Sequence, residues 1–265
     1  MATRELEGIA GSRFRQAFND RYVSTHFGRI HSPGPDTFES YARHYVSSYL
    51  PLLPQDKNAH ILDVGCGLGF FLYFLKRQGY VNHKGIDIGQ EQIDFCSREV
   101  TEHVEIVPDT RSYLVLHPST YDAIVINDVL EHLDDDELFP ILEAARCALS
   151  IDGKLIVSVP NAACLTSLAT LYGDMTHRRL FTEGSLTQLL LCAGFSKVQI
   201  LPHEKRVVRS FRSRREKWTW ELRDRFVRWL LSEFHLHLME GSYPQVQTIN
   251  LLGVAEESPS DDSCK

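Results

Sequence analysis

Across residues 60–160 the chain switches repeatedly between two hydrophobic periods, and no other feature limits its fold as strongly. HILDVG, HKGIDI, VEIVP, YDAIVIND and KLIVSVP are short apolar runs rich in β-branched residues. Between them lie GFFLYFLKRQGY, GQEQIDFCSREV and LFPILEAARCAL, whose apolar residues recur at helical spacing. Short strands joined by crossover helices make a parallel sheet covered on both faces. Farther on, SLTQLLLCAGF reads as an amphipathic helix, with Ser185 near its start and Gly194 at its end, and VQIL and TINLLGVAE as the last strands. The expected fold is therefore α/β: an open, mostly parallel seven-stranded sheet with helices on both faces.

Residues 1–58 read as a helical cap in two amphipathic pieces. Phe14, Phe18 and Tyr22 share one face; Phe38, Tyr41, Tyr45 and Tyr49 share another, before Pro51 and Pro54. The sheet domain is expected over residues 59–255, followed by a polar, flexible tail over 256–265. A helical insertion at about 203–243 interrupts the last two strands. Its segment 203–229 carries a charge of +6 in a chain whose net charge is -7, so everything else sums to -13. Trp218, Leu222, Phe226, Trp229 and Leu230 follow helical spacing there. A solvated or core-covering helix is the leading reading of this insert. Docking on an anionic lipid surface through Trp218 and Trp229, or recognition of a phosphorylated acceptor, are the alternatives. The acidic remainder disfavours a nucleic-acid partner.

With 43% hydrophobic residues the chain can bury a core, and no apolar run approaches the roughly 18 residues of a membrane span. The first residues lack the apolar centre of a secretory signal, so a cytoplasmic protein is expected, peripheral to a membrane in the lipid-docking reading. Six scattered cysteines show no ligand spacing, and neither structural zinc nor a disulfide framework is expected. No metal site is assigned either. The run Asp134-Asp135-Asp136-Glu137 is read as the start of a helix, whose macrodipole favours acids.

The sequence DVGCGLG at residues 63–69 sits where a strand becomes a helix. Its glycines allow a tight turn and close approach of the backbone to a ligand. A nicotinamide-dinucleotide loop needs G-x-G-x-x-G. Here Phe70 stands at the third glycine position, and Asp63 precedes the loop, where it would repel a pyrophosphate and welcome an ammonium. Asp87 ends the second strand, placed for ribose hydroxyls. Asp109 follows the third strand, within reach of an adenine amino group, and Asn127-Asp128 lie at the carboxyl edge, where ligands of open sheets bind.

Together, ILDVGCGLGFFL, GIDI, YDAIVINDVLEHL and LSIDGKLIVSVPN resemble the class I, Rossmann-like S-adenosylmethionine-dependent methyltransferases over about residues 60–255. Asn127-Asp128-Val-Leu-Glu131-His132 is similar to the branch with ubiquinone-pathway and sugar methyltransferases. GDMTHRRLFTEGSL, at 173–186, is similar to methyltransferases of bacterial glycan pathways. The resemblance implies an enzyme with S-adenosyl-L-methionine as cofactor, held by Asp63, Gly65, Cys66, Gly67, Gly69, Asp87, Ile88, Gln92, Asp109, Thr110, Asn127 and Asp128. It implies a small-molecule or glycan acceptor near Tyr41, Tyr45, Asp174, Arg178 and Arg179, methylated on a hydroxyl. His132 and His177 are the candidate catalytic residues, as general bases near neutrality. Asp174 is read as orienting His177 or binding a sugar hydroxyl, with an N-cap or turn role as the alternative. A phenolic or amine acceptor, or a silent donor-binding module, are the alternatives.

Overall fold

The computed structural model describes residues 33–203, 213–238 and 246–257. Its elements, in chain order, are α1 (Pro35–Ser48), β1 (Ile61–Val64), α2 (Phe70–Arg77), β2 (His83–Asp87) and α3 (Gln90–Glu99). Then come β3 (Val104–Ile106), α4 (Thr110–Val115), β4 (Tyr121–Asn127), a single 3₁₀ turn (Leu130–His132), α5 (Asp135–Ala148) and β5 (Leu149–Pro160). The chain continues through α6 (Ser167–Gly173), α7 (Glu183–Cys192), β6 (Lys197–His203), α8 (Arg214–Leu238) and β7 (Asn250–Glu256). The first helical piece anticipated around Phe14, Phe18 and Tyr22, and the tail beyond residue 257, lie outside the described residues.

The seven strands form one sheet in the order β3-β2-β1-β4-β5-β7-β6. Strands β1 to β5 pair in parallel, whereas β7 runs antiparallel to both β5 and β6. The order reverses between β1 and β4, which leaves a crevice beyond their carboxyl ends. Ile61–Val64 are buried throughout, as are Ala123, Ile124, Val125 and Ile126 opposite them. Two apolar clusters cover the two faces. One contains Leu62, Val64, Ile124, Ile126, Leu142, Leu155 and Leu186; the other contains Ile61, Ala123, Val125, Phe71, Phe74 and the residues of α1.

Helix α1 belongs to that second face. Phe38 and Tyr41 each bring a ring centroid to 4.5 Å from Phe70, and Tyr45 meets Phe71 edge-on at 5.4 Å. The helix stops before Pro51, as its sequence requires. Strand β5 begins at Leu149, five residues before the run KLIVSVP, because Gly153 lets the backbone pass within contact of Ser150 and Tyr121. Helices α4 and α6 are too short to show helical periodicity in the sequence. Asp134 and Glu137 form a capping box at the start of α5, the role anticipated for the acidic run. Cys66, Cys96, Cys164 and Cys192 are free thiols, while Cys147 is disulfide-bonded.

The β1–α2 bend is closed by glycines held in left-handed geometry, with φ of 71° at Gly65, 53° at Gly67 and 85° at Gly69. A Cβ on Gly69 would stand 2.3 Å from the Cys96 sulfur, so both backbone and space demand glycine there. Replacing Gly69 with Ala is expected to destabilise the protein by about 1–3 kcal/mol from backbone strain alone. Thermal denaturation of the parent and Gly69→Ala proteins measures it; equal melting temperatures would contradict the strain.

Candidate active site

At the mouth of the crevice, the Asp87 carboxylate ties the glycine bend to the end of β2. Its Oδ2 accepts the Gly67 N–H at 2.9 Å and its Oδ1 accepts the Gly89 N–H at 2.8 Å. Each oxygen keeps a second lone pair for a ligand. Burial raises the Asp87 pKa, and the backbone N–H groups of Gly89, Gly67 and Ile88 oppose that rise. A Cβ on Gly67 would meet nothing within 4 Å, so the bend opens onto free space at that residue.

Asp63 lies one strand inward, paired in register with Gly85 of β2 and Val125 of β4, and is 1% exposed. Burial, reinforced by the Asp87 charge, pushes its carboxyl up to about 8. Such a group holds a proton at neutrality until a cation arrives beside it. Cys66 is buried among Cys96, Gly85 and the bend, and a hydrogen bond from its thiol to Cys96, together with burial, pushes that thiol up, so it is a packing residue.

Beyond β2, Ile88 is 46% exposed, an apolar surface beside Asp87. Gln92 is buried against Gly89, and its Oε1 has no hydrogen-bond partner among the described residues. Asp109 caps α4: its Oδ1 accepts the Ser112 N–H at 3.0 Å and its Oδ2 the Ser112 hydroxyl at 2.6 Å. These bonds lower its pKa. Thr110 is the first residue of that helix.

At the end of β4, the Tyr49 hydroxyl donates to Asn127 Oδ1 at 2.5 Å, while Asn127 Nδ2 is buried without a partner among the described residues. Asp128 has φ of 54°, an uncommon conformation for a residue with a side chain, and its Oδ1 accepts from Asn250 Nδ2 at 2.7 Å. Neither Tyr49 nor Asn250 was singled out in the sequence. Tyr49 looked like another member of an apolar helical stripe, and Asn250 is one polar residue in an apolar strand.

Four residues past Asp128, His132 ends the 3₁₀ turn. Its ring centroid is 4.7 Å from that of His177, which lies on the connection between α6 and α7. The hydrogen bonds define both tautomers. Thr176 Oγ1 gives its only proton to Asp174 Oδ1 at 2.6 Å, so the 2.8 Å contact with His132 Nδ1 requires the ring to donate. His177 Nδ1 lies 2.8 Å from the Thr170 carbonyl oxygen, which can only accept. Both neutral rings therefore leave an Nε2 lone pair. Burial, with His177 nearby, pushes the His132 pKa down to about 4.

Asp174 thus orients His132 through Thr176, where the sequence suggested that it orients His177. Its main-chain carbonyl accepts the His177 N–H at 3.2 Å. Arg178 and Arg179 turn toward the start of α5, ion-paired to Asp134 and Asp135 respectively, and Arg179 also donates to the Leu133 carbonyl at 2.8 Å. Tyr45 is buried within the α1–α2 packing and Tyr41 stacks on Phe70. The structure therefore gathers the donor-loop residues with Asn127, and His132 with His177. It places the two arginines in ion pairs and Tyr45 in the core.

The sheet order, the antiparallel β7 and the glycine bend at β1 define a class I methyltransferase fold. A family model described as a methyltransferase domain matches residues 38–200, and the chain belongs to that family of S-adenosyl-L-methionine-dependent methyltransferases. A ubiquinone biosynthesis O-methyltransferase of Xylella fastidiosa is 29% identical over 148 residues, or 53% of this chain and 56% of the relative. The chain thus spans little more than half the length of that curated relative. A probable S-adenosylmethionine-dependent methyltransferase of Mycobacterium tuberculosis is 28% identical over 66% of this chain and 63% of its own. Among solved structures, a SAM-dependent methyltransferase from Archaeoglobus fulgidus shares the fold with a TM-score of 0.60 and 21% identity, covering 87% of this chain and 98% of that one.

The residues present suit the family's cofactor. The bend is open at Gly67, an acid stands inside it, and a buried amide donor at Asn127 awaits an acceptor. The raised Asp63 pKa also predicts a stability effect. A folded-state pKa of about 8 against the ordinary 3.8 means the folded chain holds a proton that the unfolded chain releases. Asp63 therefore costs stability increasingly as pH rises from about 4 to about 8, and by a constant amount above. Asp63→Asn should melt higher than the donor-free parent, with a gap that widens over that range and then levels. A pH-independent gap would show that the carboxyl is not held protonated.

Proposed function

We propose that this chain moves the methyl group of S-adenosyl-L-methionine onto a hydroxyl oxygen of a small molecule. The observation that carries the hydroxyl is the imidazole pair at the end of β4, two rings 4.7 Å apart and each tied through Nδ1 to a fixed oxygen. When bound, the cofactor supplies a methyl group on positively charged sulfur, open to in-line displacement.

Asp63 ionises beside the donor's ammonium, and Asn127 Nδ2 donates to its carboxylate. Asp87 would accept the ribose hydroxyls, and the exposed Ile88 would stand beside the adenine. Gly65, Cys66, Gly67 and Gly69 shape the bend around the donor, and Gln92 and Asp128 line its flanks. Asp109 and Thr110 stand at the adenine edge, although the Asp109 carboxylate is already engaged by Ser112. His132 takes the acceptor proton at Nε2, and Thr176 and Asp174 hold the ring for that step. His177 packs beside that ring, its own proton given to the Thr170 carbonyl. Positioning supplies the rest of the rate, since sulfonium transfer needs alignment and little covalent help.

A glycan hydroxyl is the acceptor suggested by the string at 173–186, with Arg178, Arg179, Tyr41 and Tyr45 as contacts. One observation favours a phenolic, partly apolar acceptor as a second reading. Leu165, Leu168, Tyr172 and Met175 are 65–78% exposed on α6 and its flanks, the segment that bonds His177. Such a rim suits an aromatic ring better than a sugar.

The experiment is turnover of the donor with sugar and catechol panels, together with calorimetry. Asp87→Ala should weaken donor binding at least tenfold. His132→Ala and His177→Ala should bind donor like the parent, with His132→Ala losing about 10²–10⁴ in kcat. Unchanged kcat in both histidine variants would remove hydroxyl activation from the mechanism.

A further inference from the structure

We propose that Glu131, His132 and His177 form a binding site for one divalent transition-metal ion of the zinc or cobalt type. Each offers one ligand atom, and these atoms lie within 4.8 Å of one another. Glu131 is fully buried, while both imidazoles are partly open, so an ion entering from the crevice would retain free positions. Two imidazoles and a carboxylate select a borderline transition ion over a hard alkaline-earth ion, which prefers oxygen throughout.

The surroundings of the imidazoles are those of a metal site. Metal-binding histidines almost always donate their second ring N–H to a carbonyl, a carboxylate or another fixed acceptor. His177 donates to the Thr170 carbonyl, and His132 donates to Thr176, which is itself tied to the buried Asp174 carboxylate. The two ligand segments are also joined by their backbones, since the Arg178 N–H donates to the Glu131 carbonyl at 2.9 Å. Metal–ligand bonds of about 2.0–2.2 Å bring ligand atoms to about 3–3.5 Å apart. The cluster therefore closes by about 1 Å on loading, within reach of small side-chain rotations.

The consequence for catalysis rests on the hydroxyl-transfer reading; the binding itself does not. With an ion in place the Nε2 lone pairs are engaged, and an acceptor oxygen at an open position loses its proton to solvent more readily. The oxygen–carbon bond forms as the carbon–sulfur bond breaks, and that electron pair stays on sulfur.

The test uses the full chain, stripped by chelator, titrated with Co²⁺ by visible absorption and then challenged with Zn²⁺. One equivalent of Co²⁺ should bind, and Zn²⁺ should displace it. Glu131→Gln and His177→Ala should each weaken binding at least tenfold. Thr176→Val, which touches no ion, should weaken it about 10–100-fold by removing the acceptor for His132. Thermal melts establish that each variant is folded. Co²⁺ binding by the parent no tighter than by the His132→Ala/His177→Ala double variant overturns the site. If that happens while turnover still depends on His132, the hydroxyl reading stands without the ion. If the ion binds but no hydroxyl is methylated, the site stands and its catalytic role is lost.

Discussion

The carboxylate of Asp87 is the interaction on which the rest of the site depends. By accepting N–H groups from Gly67 and Gly89 it holds two loops, one after β1 and one after β2, at a fixed separation. Both anchors are backbone donors, so the spacing does not depend on the rotamers of long side chains. Gly65 and Gly69 then fix the bend from within, because a Cβ at either would collide with Val129 or Cys96. The bend opens at Gly67 because its neighbours close it everywhere else.

Two further ties bring distant parts of the chain to the same edge. Tyr49, at the end of α1, bonds Asn127, so the helix that precedes the sheet sets one wall of the crevice. Asn250, at the start of β7, bonds Asp128 and Ser158, so the antiparallel strand sets another. The strained backbone at Asp128 is held between them. Burial raises the pKa of both carboxyls near the bend and lowers that of His132, so the fold disfavours the charged form of each.

Most of the sheet was legible because strands buried on both faces and helices buried on one leave different periodicities. The glycine bend was legible because positive φ and close approach leave few residue choices. What stayed hidden depended on partners far away in the chain. His132 and His177 were candidates from their polar contexts, but their pairing required the 3₁₀ turn and the α6–α7 connection to meet. Asp174 was expected to serve His177, and only the position of Thr176 shows that it serves His132. Arg178 and Arg179 looked free for an acceptor because nothing local reveals that Asp134 and Asp135 face them. Glu131, read as part of a motif, gained its meaning from depth: it is 0% exposed.

Helix α8 departs from the sheet at the tip of the β6–β7 pair, the point where antiparallel register is already secured over seven residue pairs. Lengthening a connection there adds little closure entropy, since that cost grows only with the logarithm of its length. The connection can thus be long without loss of the strand pairing, and Trp218 and Trp229 on α8 stand exposed among the described residues. At its root the tip of β6 is not independent of the crevice, because the His203 ring meets Tyr49 edge-on at 5.4 Å, and Tyr49 bonds Asn127.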